Sequence, residues 1–398
     1  MATIILRRLL LLTVLLFVTA CDAQEQTEPL RVNTVTLQLS TGETVKVPAQ
    51  QVISSGGNHT LIIKENGTVW AFGGNEYGQL GNGTTEASLE PVQVKGLKDI
   101  VKVSAGDDFS VALDAQGDVW TWGINEEGQL GDDTIEPRWL PTKIAQSIND
   151  VAAGAFTSYA LHSDGQFLGW GDNLTGVLGP RQSLGKTLLT PTPLPEPTNV
   201  TGISRQGLGT VIIRGGGQVW AWGDAALTSG KFDYSDTEYP EPERVPKLTN
   251  ICEVAVGIDF VIALGCGGQV WSWGDNWIGQ LGIDSSEPRF EPVRVHNLEN
   301  VVAVSAYGYH ALALDTLGQV WGWGKSDFYQ APDVYLQLTD EPTKFSKFKD
   351  SIAVSAGADI TTILDTSGQV WTVGYSGVGD FFEDEEIVYE EPHLVMTR

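Results

Sequence analysis

The sequence predicts an all-β fold: a seven-bladed β-propeller of four-stranded blades, with the ring closed by N- and C-terminal strands. The stretch Gly-x-Val-Trp-x-Trp-Gly, complete or slightly altered, recurs seven times at intervals of 48 to 52 residues. A proline recurs between these copies at steps of 50 or 51 residues. A period of this size indicates a repeat architecture. The terminal repeats are about as apolar as the others, which favours a closed ring over a solenoid with polar end caps.

Each copy of the motif has the pattern of a strand covered on both faces. Successive side chains point to opposite faces of a strand, and here one face carries mainly valines and the other mainly tryptophans. Eleven of the 13 tryptophans occupy the two aromatic slots, so we interpret them as core residues. The copies begin at Gly67, Gly117, Gly165, Gly217, Gly268, Gly318 and Gly368.

Each repeat contains four candidate strands. In the second repeat they lie near 100–105, 109–114, 118–123 and 139–144. The last of these contains the recurrent proline, which cannot donate to a sheet ladder and therefore marks an outer strand. Four strands in each of seven repeats describe a β-propeller.

The motif and the loop after it resemble the regulator of chromosome condensation repeat. Residues 117–123, Gly-Asp-Val-Trp-Thr-Trp-Gly, and 125–131, Asn-Glu-Glu-Gly-Gln-Leu-Gly, carry the resemblance, with copies at 67–81 and 268–282 and a looser one at 165–179. It covers about residues 44–398 and implies a seven-bladed propeller. The eukaryotic namesake exchanges nucleotide on a nuclear GTPase and binds chromatin. Other relatives are secreted bacterial propellers, including a protein inhibitor of β-lactamases, and they are the closer analogy.

The N-terminus resembles a bacterial lipoprotein signal. Arg7 and Arg8 precede the apolar run 9–18, and small residues then lead to Cys21. The pattern predicts a secretory signal peptide over residues 1–20, and its likeness to a lipobox implies cleavage before Cys21 and lipidation of that thiol. An ordinary signal peptide is the alternative; an uncleaved anchor is disfavoured because the run is shorter than about 20 residues. We expect an exported protein, held by its lipid alone at the periplasmic face of a membrane or at the cell surface.

The remaining chain divides into a tether and the propeller. Residues 21–32 are polar and form the tether, and residues 33–47 alternate as a β-hairpin does. Because the seven repeats already supply every blade strand, we expect this hairpin to pair with residues 392–397 and to close the ring, which would protect a free edge. Within the propeller, 33–398, the repeats lie at about 50–97, 98–147, 148–198, 199–248, 249–298, 299–348 and 349–398.

The charge of the chain argues strongly against nucleic acid as a partner. Removing residues 1–20 leaves 22 basic and 50 acidic side chains, a net charge of −28. Such a field repels phosphates and anionic membrane surfaces. It fits either simple solubility or a partner with a basic patch.

No catalytic or metal-binding pattern is present, and we expect no cofactor. The chain has five histidines, of which His59 and His310 share one repeat slot and so indicate a structural role. Cys-x-x-Cys, His-Glu-x-x-His and P-loop spacings are absent from the sequence. We favour a non-catalytic, monomeric module that docks an envelope or extracellular protein. The alternatives are a lyase or hydrolase that acts on an envelope polymer, with its site in the propeller channel, or a β-lactamase-inhibitor-like binding protein.

Two cysteines lie where a disulfide could form. Cys252 and Cys266 are each seven residues from Asp259, in the first two strands of the fifth repeat. A hairpin centred there places them opposite one another, at about 4.5 Å between Cα atoms in a non-hydrogen-bonded pair. A disulfide and two buried thiols both remain open.

The expected docking surface is the ring of turns that joins the first two strands of each repeat. A turn favours Gly, Asn, Asp or Ser, so its apolar residues have no evident structural need. We expect Phe156 and Tyr309 to anchor a partner, and acidic turn residues to attract its basic patch. Alternatively, the two aromatic residues cover the channel mouth, and the acidic loops at 231–243 and 380–391 become the next candidates. The predicted partner-binding residues are Asn58, Asp107, Asp108, Phe156, Arg205, Leu208, Asp259, Tyr307, Tyr309 and Asp359.

Overall fold

The computed structural model describes residues 33–173, 176–179, 186–194, 197–206, 209–223, 242–326, 339–375 and 388–398. In these residues the chain forms seven four-stranded antiparallel sheets, one separate two-stranded sheet and a single short 3-10 turn. The predicted seven-bladed propeller is therefore confirmed. Within the same ranges, no helix has the length and apolar character needed to cross a membrane.

Every blade takes its four strands from one repeat. A hairpin, β1 (Thr34–Gln38) and β2 (Thr44–Pro48), and the 3-10 turn η1 (Ala49–Gln51) precede the blades. Blade 1 comprises β3 (Ile53–Ser55), β4 (His59–Ile63), β5 (Val69–Gly73) and β6 (Ser88–Gln93). Blade 2 comprises β7 (Ile100–Ala105), β8 (Phe109–Asp114), β9 (Val119–Gly123) and β10 (Arg138–Ala145). Blade 3 comprises β11 (Ile148–Ala153), β12 (Thr157–His162), β13 (Phe167–Gly171) and β14 (Leu188–Pro193).

The later blades repeat this order. Blade 4 comprises β15 (Val200–Gln206), β16 (Gly209–Arg214), β17 (Gln218–Gly223) and β18 (Glu243–Arg244). Blade 5 comprises β19 (Ile251–Val256), β20 (Phe260–Gly265), β21 (Val270–Gly274) and β22 (Arg289–Arg294). Blade 6 comprises β23 (Val301–Tyr307), β24 (His310–Asp315), β25 (Val320–Gly324) and β26 (Thr339–Lys344). Blade 7 comprises β27 (Ser351–Ala356), β28 (Ile360–Asp365), β29 (Gln369–Tyr375) and β30 (Val388–Thr397).

The first strands line a central channel. Each sheet runs outward in chain order, and the first strands of neighbouring blades contact one another around the whole ring, including β27 against β3. In blade 2 the predicted strands match the observed ones to within one residue at each end. The turns between first and second strands, and the loops after the third strands, therefore share one end of the propeller, which we call the tip face.

The ring is closed by packing, and the predicted strand pairing is wrong. The hairpin forms its own sheet, and β30 pairs with β29. The hairpin instead lies across the seam between blades 7 and 1, where Leu37 and Val47 join a core cluster that includes Ala353 and Leu364. Because each blade already has four strands, no strand position is open for the hairpin at the seam, and only apolar side chains there need to be covered. The hairpin covers those side chains.

Hydrogen bonds fix this seam as well. The side chain of Gln50 both donates to the carbonyl of Val354, at 3.0 Å, and accepts from its amide, at 2.8 Å. Asn33 Nδ2 donates to the carbonyl of Ile352 at 3.2 Å. From the other terminus, Arg398 Nε donates to the carbonyl of Ile63 at 2.6 Å.

The second aromatic slot of the motif forms a latch between blades. Its tryptophans are fully buried, whereas the first-slot tryptophans are half-buried. Each latch is a hydrogen bond from an indole Nε1 to a loop carbonyl of the preceding blade, at 2.8 to 3.0 Å. The pairs are Trp122 with Gln79, Trp170 with Gln129, Trp222 with Val177, and Trp323 with Gln280.

Candidate functional site

The tip face is built on one backbone arrangement. In six blades the carbonyl of the central turn residue accepts a hydrogen bond from the amide of the residue after the motif's last glycine, at 2.7 to 3.0 Å. The last glycine of each motif makes this possible. At Gly274, with φ at +113°, an added Cβ would lie 2.3 Å from the carbonyl oxygen of Asp259. The motif therefore ends in glycine because the turn packs directly against it.

Neighbouring turns are also bonded to one another. The amides of Gly57 and Asn58 donate to the carbonyls of Gly106 and Asp107, at 3.1 and 3.3 Å. Similar bonds join blade 7 to blade 1, from Ala358 to Gly56 at 3.0 Å, and blade 5 to blade 6, from Ile258 to Gly308 at 2.6 Å. Such bonds preorganise the turns as a rigid surface.

Tyr307 closes the channel at this face. Its slot holds glycine in most blades, and an added Cβ at Gly257 would meet the ring of Phe260 at 1.9 Å. In blade 6 the first strand is extended so that Tyr307 pairs with His310. The Tyr307 hydroxyl then donates to a carboxylate oxygen of Asp107 in blade 2, across the mouth. These two predicted binding residues are thus occupied with each other.

The acidic turn residues differ in what they contact. Asp108 Oδ1 accepts from Asn58 Nδ2 at 2.9 Å and from Gln79 Nε2 at 3.0 Å. Burial raises the pKa of Asp108, the hydrogen bond from Asn58 opposes this, and the carboxylates of Asp107 and Glu76 add to the rise. The network holds the carboxylate in place at the face.

The other two acids are arranged differently. Asp359 forms a salt bridge with Lys325, at 3.1 Å between Oδ1 and Nζ. Asp259 is half-buried in a left-handed conformation with φ at 60°. Asp108, in contrast, is held at the tip face by hydrogen bonds and forms no salt bridge with a described residue.

Two aromatic side chains are exposed at the tip end. Phe156 is 44% exposed at its turn, while Tyr309 is half-buried beside Gly308. Trp277, in the loop after β21, is 66% exposed and was not among the predicted residues. Leu208 lies outside the described residues, and of Arg205 only the backbone, within β15, is described. The acidic loops at 231–243 and 380–391 also lie largely outside them.

The channel behind this face is a cavity of about 500 Å³. Its charged lining residues are Lys102, Asp150 and Glu253, of which Lys102 and Asp150 form a salt bridge. Burial raises the pKa of Glu253 to about 7. Within the described residues, no cluster of His, Cys, Asp and Glu could hold a metal ion.

Cys252 and Cys266 lie next to this carboxyl, at the channel end opposite the tip face. They are joined as a disulfide with 5.1 Å between Cα atoms. Cys252 occupies a bulge, because Ile251 pairs with Gly265 while Glu253 pairs with Leu264. The register therefore departs from the simple opposed pair expected from the sequence.

The comparisons with known proteins agree with this architecture. Residues 18–333 match the family model of the RCC1-like domain. The chain belongs to the RCC1-like domain family. Among solved structures, this RCC1-like domain is similar to Prp20p from Saccharomyces cerevisiae, with a TM-score of 0.70 at 22% identity over 87% of this chain and 88% of that one. Human WBSCR16 gives a TM-score of 0.69 at 22% identity over 81% and 90%.

Curated relatives match only part of their own length. Human E3 ubiquitin-protein ligase HERC2 is 28% identical over 258 residues, 60% of this chain and 4% of the ligase. The ultraviolet-B receptor UVR8 of Arabidopsis thaliana is 29% identical over 243 residues, 59% of this chain and 43% of the receptor. The chain thus spans less than half of either protein.

RCC1-like propellers are protein-interaction modules and are typically non-catalytic. Prp20p is described with its binding to Gsp1p and histones, and yeast RCC1 has been crystallised bound to Kap60. In this RCC1-like domain, sequence reasoning found the turn residues but missed Trp277 and the closure by Tyr307. A signal for Trp277 was present, because Trp139 and Trp277 are the two tryptophans without a core slot, and both are exposed.

Proposed function

We propose that this propeller is a non-catalytic docking module of the bacterial cell envelope, anchored by lipid on Cys21, that binds a protein with a basic patch on its tip face. The observation that carries the proposal is the combination of turns that are hydrogen-bonded to one another at three junctions, between blades 7 and 1, 1 and 2, and 5 and 6, with exposed aromatic side chains at the same end. Rigid surfaces lose little freedom on binding, and aromatic anchors dominate many protein interfaces.

The aromatic residues stand where the repeat does not require them. Trp277 occupies the loop slot that holds Glu76 and Glu126 in blades 1 and 2. Phe156 occupies the turn slot that holds Asn58 or an aspartate in most other blades. Both side chains leave large apolar areas in water, which a partner would cover with a favourable hydrophobic contribution.

Charge favours a basic partner near blades 1 and 2. Asp108, Glu76 and Glu126 form no salt bridge among the described residues, and all three carboxylates contribute to raising the pKa of Tyr77. Asp359 is already neutralised by Lys325. We therefore assign the attraction of a basic patch mainly to the blade 1 and blade 2 side, where it accelerates association.

The position of the hairpin supports an orientation with the tip face away from the membrane. Asn33, the first described residue, contacts the start of β27 at the end opposite the turns. A tether over 21–32 reaches about 40 Å at full extension, from roughly 3.3–3.6 Å per residue. The lipid would thus hold one end of the propeller and leave the tip face free for the partner.

The test compares capture by matched variants. Full-length protein, solubilised in detergent and immobilised, is incubated with envelope extract, and bound proteins are identified by mass spectrometry. The Phe156→Ala, Trp277→Ala double variant should lose the specific partner, with a cost of about 1–3 kcal/mol for each anchor. Leu317→Ala is the control, because Leu317 is 83% exposed in a turn at the opposite end. Identical capture by all three proteins would exclude the tip face as the docking site.

A further inference from the structure

The channel has the size and form of a small-molecule site. Its volume of about 500 Å³ lies within the roughly 300–1,000 Å³ of typical ligand pockets. Tyr307 and Asp107 span it at the tip face. A ligand would therefore enter at the other end, which is lined by Pro48, Gln50 and Gln51.

The charged residues of the channel occupy one equivalent slot in three blades. Lys102, Asp150 and Glu253 each pair with the corresponding leucine of the second strand. Asp150 receives the ammonium of Lys102 from the neighbouring blade. Glu253 forms no salt bridge among the described residues, and its Oε2 accepts only the amide of Val304, at 3.2 Å. Asp150 thus binds an alkylammonium group, that of Lys102, whereas Glu253 at the equivalent position forms no such pair among the described residues.

Serine hydroxyls line the channel two residues further along the first strands, towards the tip face. Each Oγ accepts the amide hydrogen of the next blade's first strand, at 2.9 to 3.1 Å. A hydroxyl that accepts in this way still has its own proton to donate. These protons can be given to hydroxyl oxygens of a ligand in the channel. The residues are Ser54, Ser104, Ser204, Ser305 and Ser355.

We propose that the channel binds a small hydroxylated primary amine, with its ammonium group on Glu253 and its hydroxyl groups on the serine ring. The ammonium group of the ligand would pair with Glu253 as the ammonium group of Lys102 pairs with Asp150. The proposal is independent of docking at the tip face, because entry is from the opposite end.

Binding should depend on pH with a defined sign. Of the other charged groups of the channel, Lys102 forms a salt bridge with Asp150 and also attracts the Glu253 carboxylate, which opposes the rise in the pKa of Glu253. Because burial raises the pKa of Glu253 to about 7, the carboxylate is largely protonated at pH 5.5 and largely ionised at pH 8. An aliphatic amine with a pKa near that of lysine, about 10.4, stays protonated throughout. Affinity should therefore increase from pH 5.5 to pH 8.

Ethanolamine is the probe, and glycerol is the neutral comparison. Binding to the full-length protein is followed by ligand-observed NMR at pH 5.5 and 8. We expect saturable binding of ethanolamine at pH 8, at least fivefold weaker at pH 5.5. Glu253→Gln should weaken it at least tenfold, while Glu291→Gln, an exposed acid paired with Lys247, should leave it unchanged.

The same experiment can overturn the proposal. It fails if ethanolamine shows no saturable binding, if glycerol binds equally well, or if Glu253→Gln binds ethanolamine as the natural protein does. Circular dichroism and the thermal midpoint of Glu253→Gln establish that the variant is folded. If that variant does not fold, the pH dependence measured with the natural protein still decides between an ammonium site and a hydroxyl site.

Discussion

Two buried histidines occupy the same position of the repeat and make equivalent hydrogen bonds to the next blade. His59 Nε2 lies 2.8 Å from Ser110 Oγ, and that hydroxyl donates its own proton to the carbonyl of Gln79. With the hydroxyl proton on Gln79, the Ser110 oxygen is free to accept a hydrogen bond from His59 Nε2. His310 makes the equivalent contact with Thr361 at 3.3 Å. Burial lowers the pKa of both imidazoles to about 3.

These histidines should make the fold sensitive to acid. Their folded pKa lies below the ordinary value of 6.5, so the unfolded chain binds protons first as the pH falls, and stability is lost from pH 6.5 towards 3. Phenylalanine occupies the same slot at Phe109 and Phe260. We expect the His59→Phe, His310→Phe variant to lose less stability than the natural protein between pH 7 and 4.5. The difference should be of the order of 2–5 kcal/mol, at about 1.4 kcal/mol per pKa unit.

Urea titrations at both pH values measure this change. Glu253 acts in the opposite direction, because its raised pKa costs stability as the pH rises from 4.5 to 7. Both proteins contain Glu253, so its contribution cancels in the comparison. If the two stability curves stay parallel from pH 7 to 4.5, the histidines are not the acid-sensitive groups.

At the scale of the element, the latch joins a loop and a strand of consecutive blades. The second slot holds Phe72 in blade 1 and Val373 in blade 7, in place of tryptophan. The preceding repeats, the seventh and the sixth, are two that lack the Gly-Gln-Leu-Gly loop. At these two junctions the loop and the tryptophan are absent together, whereas Trp273 is retained after the fourth repeat, which also lacks this loop.

The latch predicts unequal effects for two tryptophans of one strand. Trp323→Phe removes a buried hydrogen bond to Gln280 and leaves a cavity, so we expect a loss of about 2–4 kcal/mol in the free energy of unfolding. Trp321→Phe, two residues away and half-buried, removes a hydrogen bond from Nε1 to Asp315 Oδ2 at 3.1 Å and should cost about 1 kcal/mol. Equal losses in chemical denaturation would show that the buried latch contributes no more than this half-buried contact.

The hairpin predicts a second pair of effects. Leu37 is fully buried across the seam, so Leu37→Ala should cost about 2–5 kcal/mol. Thr36→Ala, exposed on the same strand, should stay within about 0.5 kcal/mol. A thermal midpoint for Leu37→Ala equal to that of the Thr36 variant would mean that the hairpin does not hold the seam.

The sequence was sufficient for the strands and insufficient for some of their contacts. Period and alternation place β7 to β10 within one residue, because they report which side chains must be covered. They do not report what covers those side chains: the sequence predicts that the hairpin pairs with β30, whereas it packs on the seam. Tyr307 could be recognised as a departure from glycine, but its partner Asp107 lies 200 residues away. Only the closed ring brings the two together.

At the scale of the whole molecule, the two ends of the propeller have different proposed roles, in anchoring and in docking. The hairpin and Asn33 lie at one end, and the exposed aromatic residues lie at the other. If Cys21 carries the lipid, Cys21→Ser should release the protein from the membrane fraction or leave it unprocessed at a higher mass, because one or more acyl chains no longer hold it. Fractionation with mass spectrometry decides this. Normal mass and membrane association of Cys21→Ser would refute lipidation.

The absence of a shared strand at the seam gives the molecule a modular topology. Since every blade is folded from consecutive residues, the chain could be opened between any two blades without cutting a sheet. Asn33 and Arg398 both lie at the seam, on blades 7 and 1, so a short linker could join them in a circular permutant. A duplicated repeat would likewise enter the ring as a complete blade. In this propeller the sequence repeat and the four-stranded blade coincide.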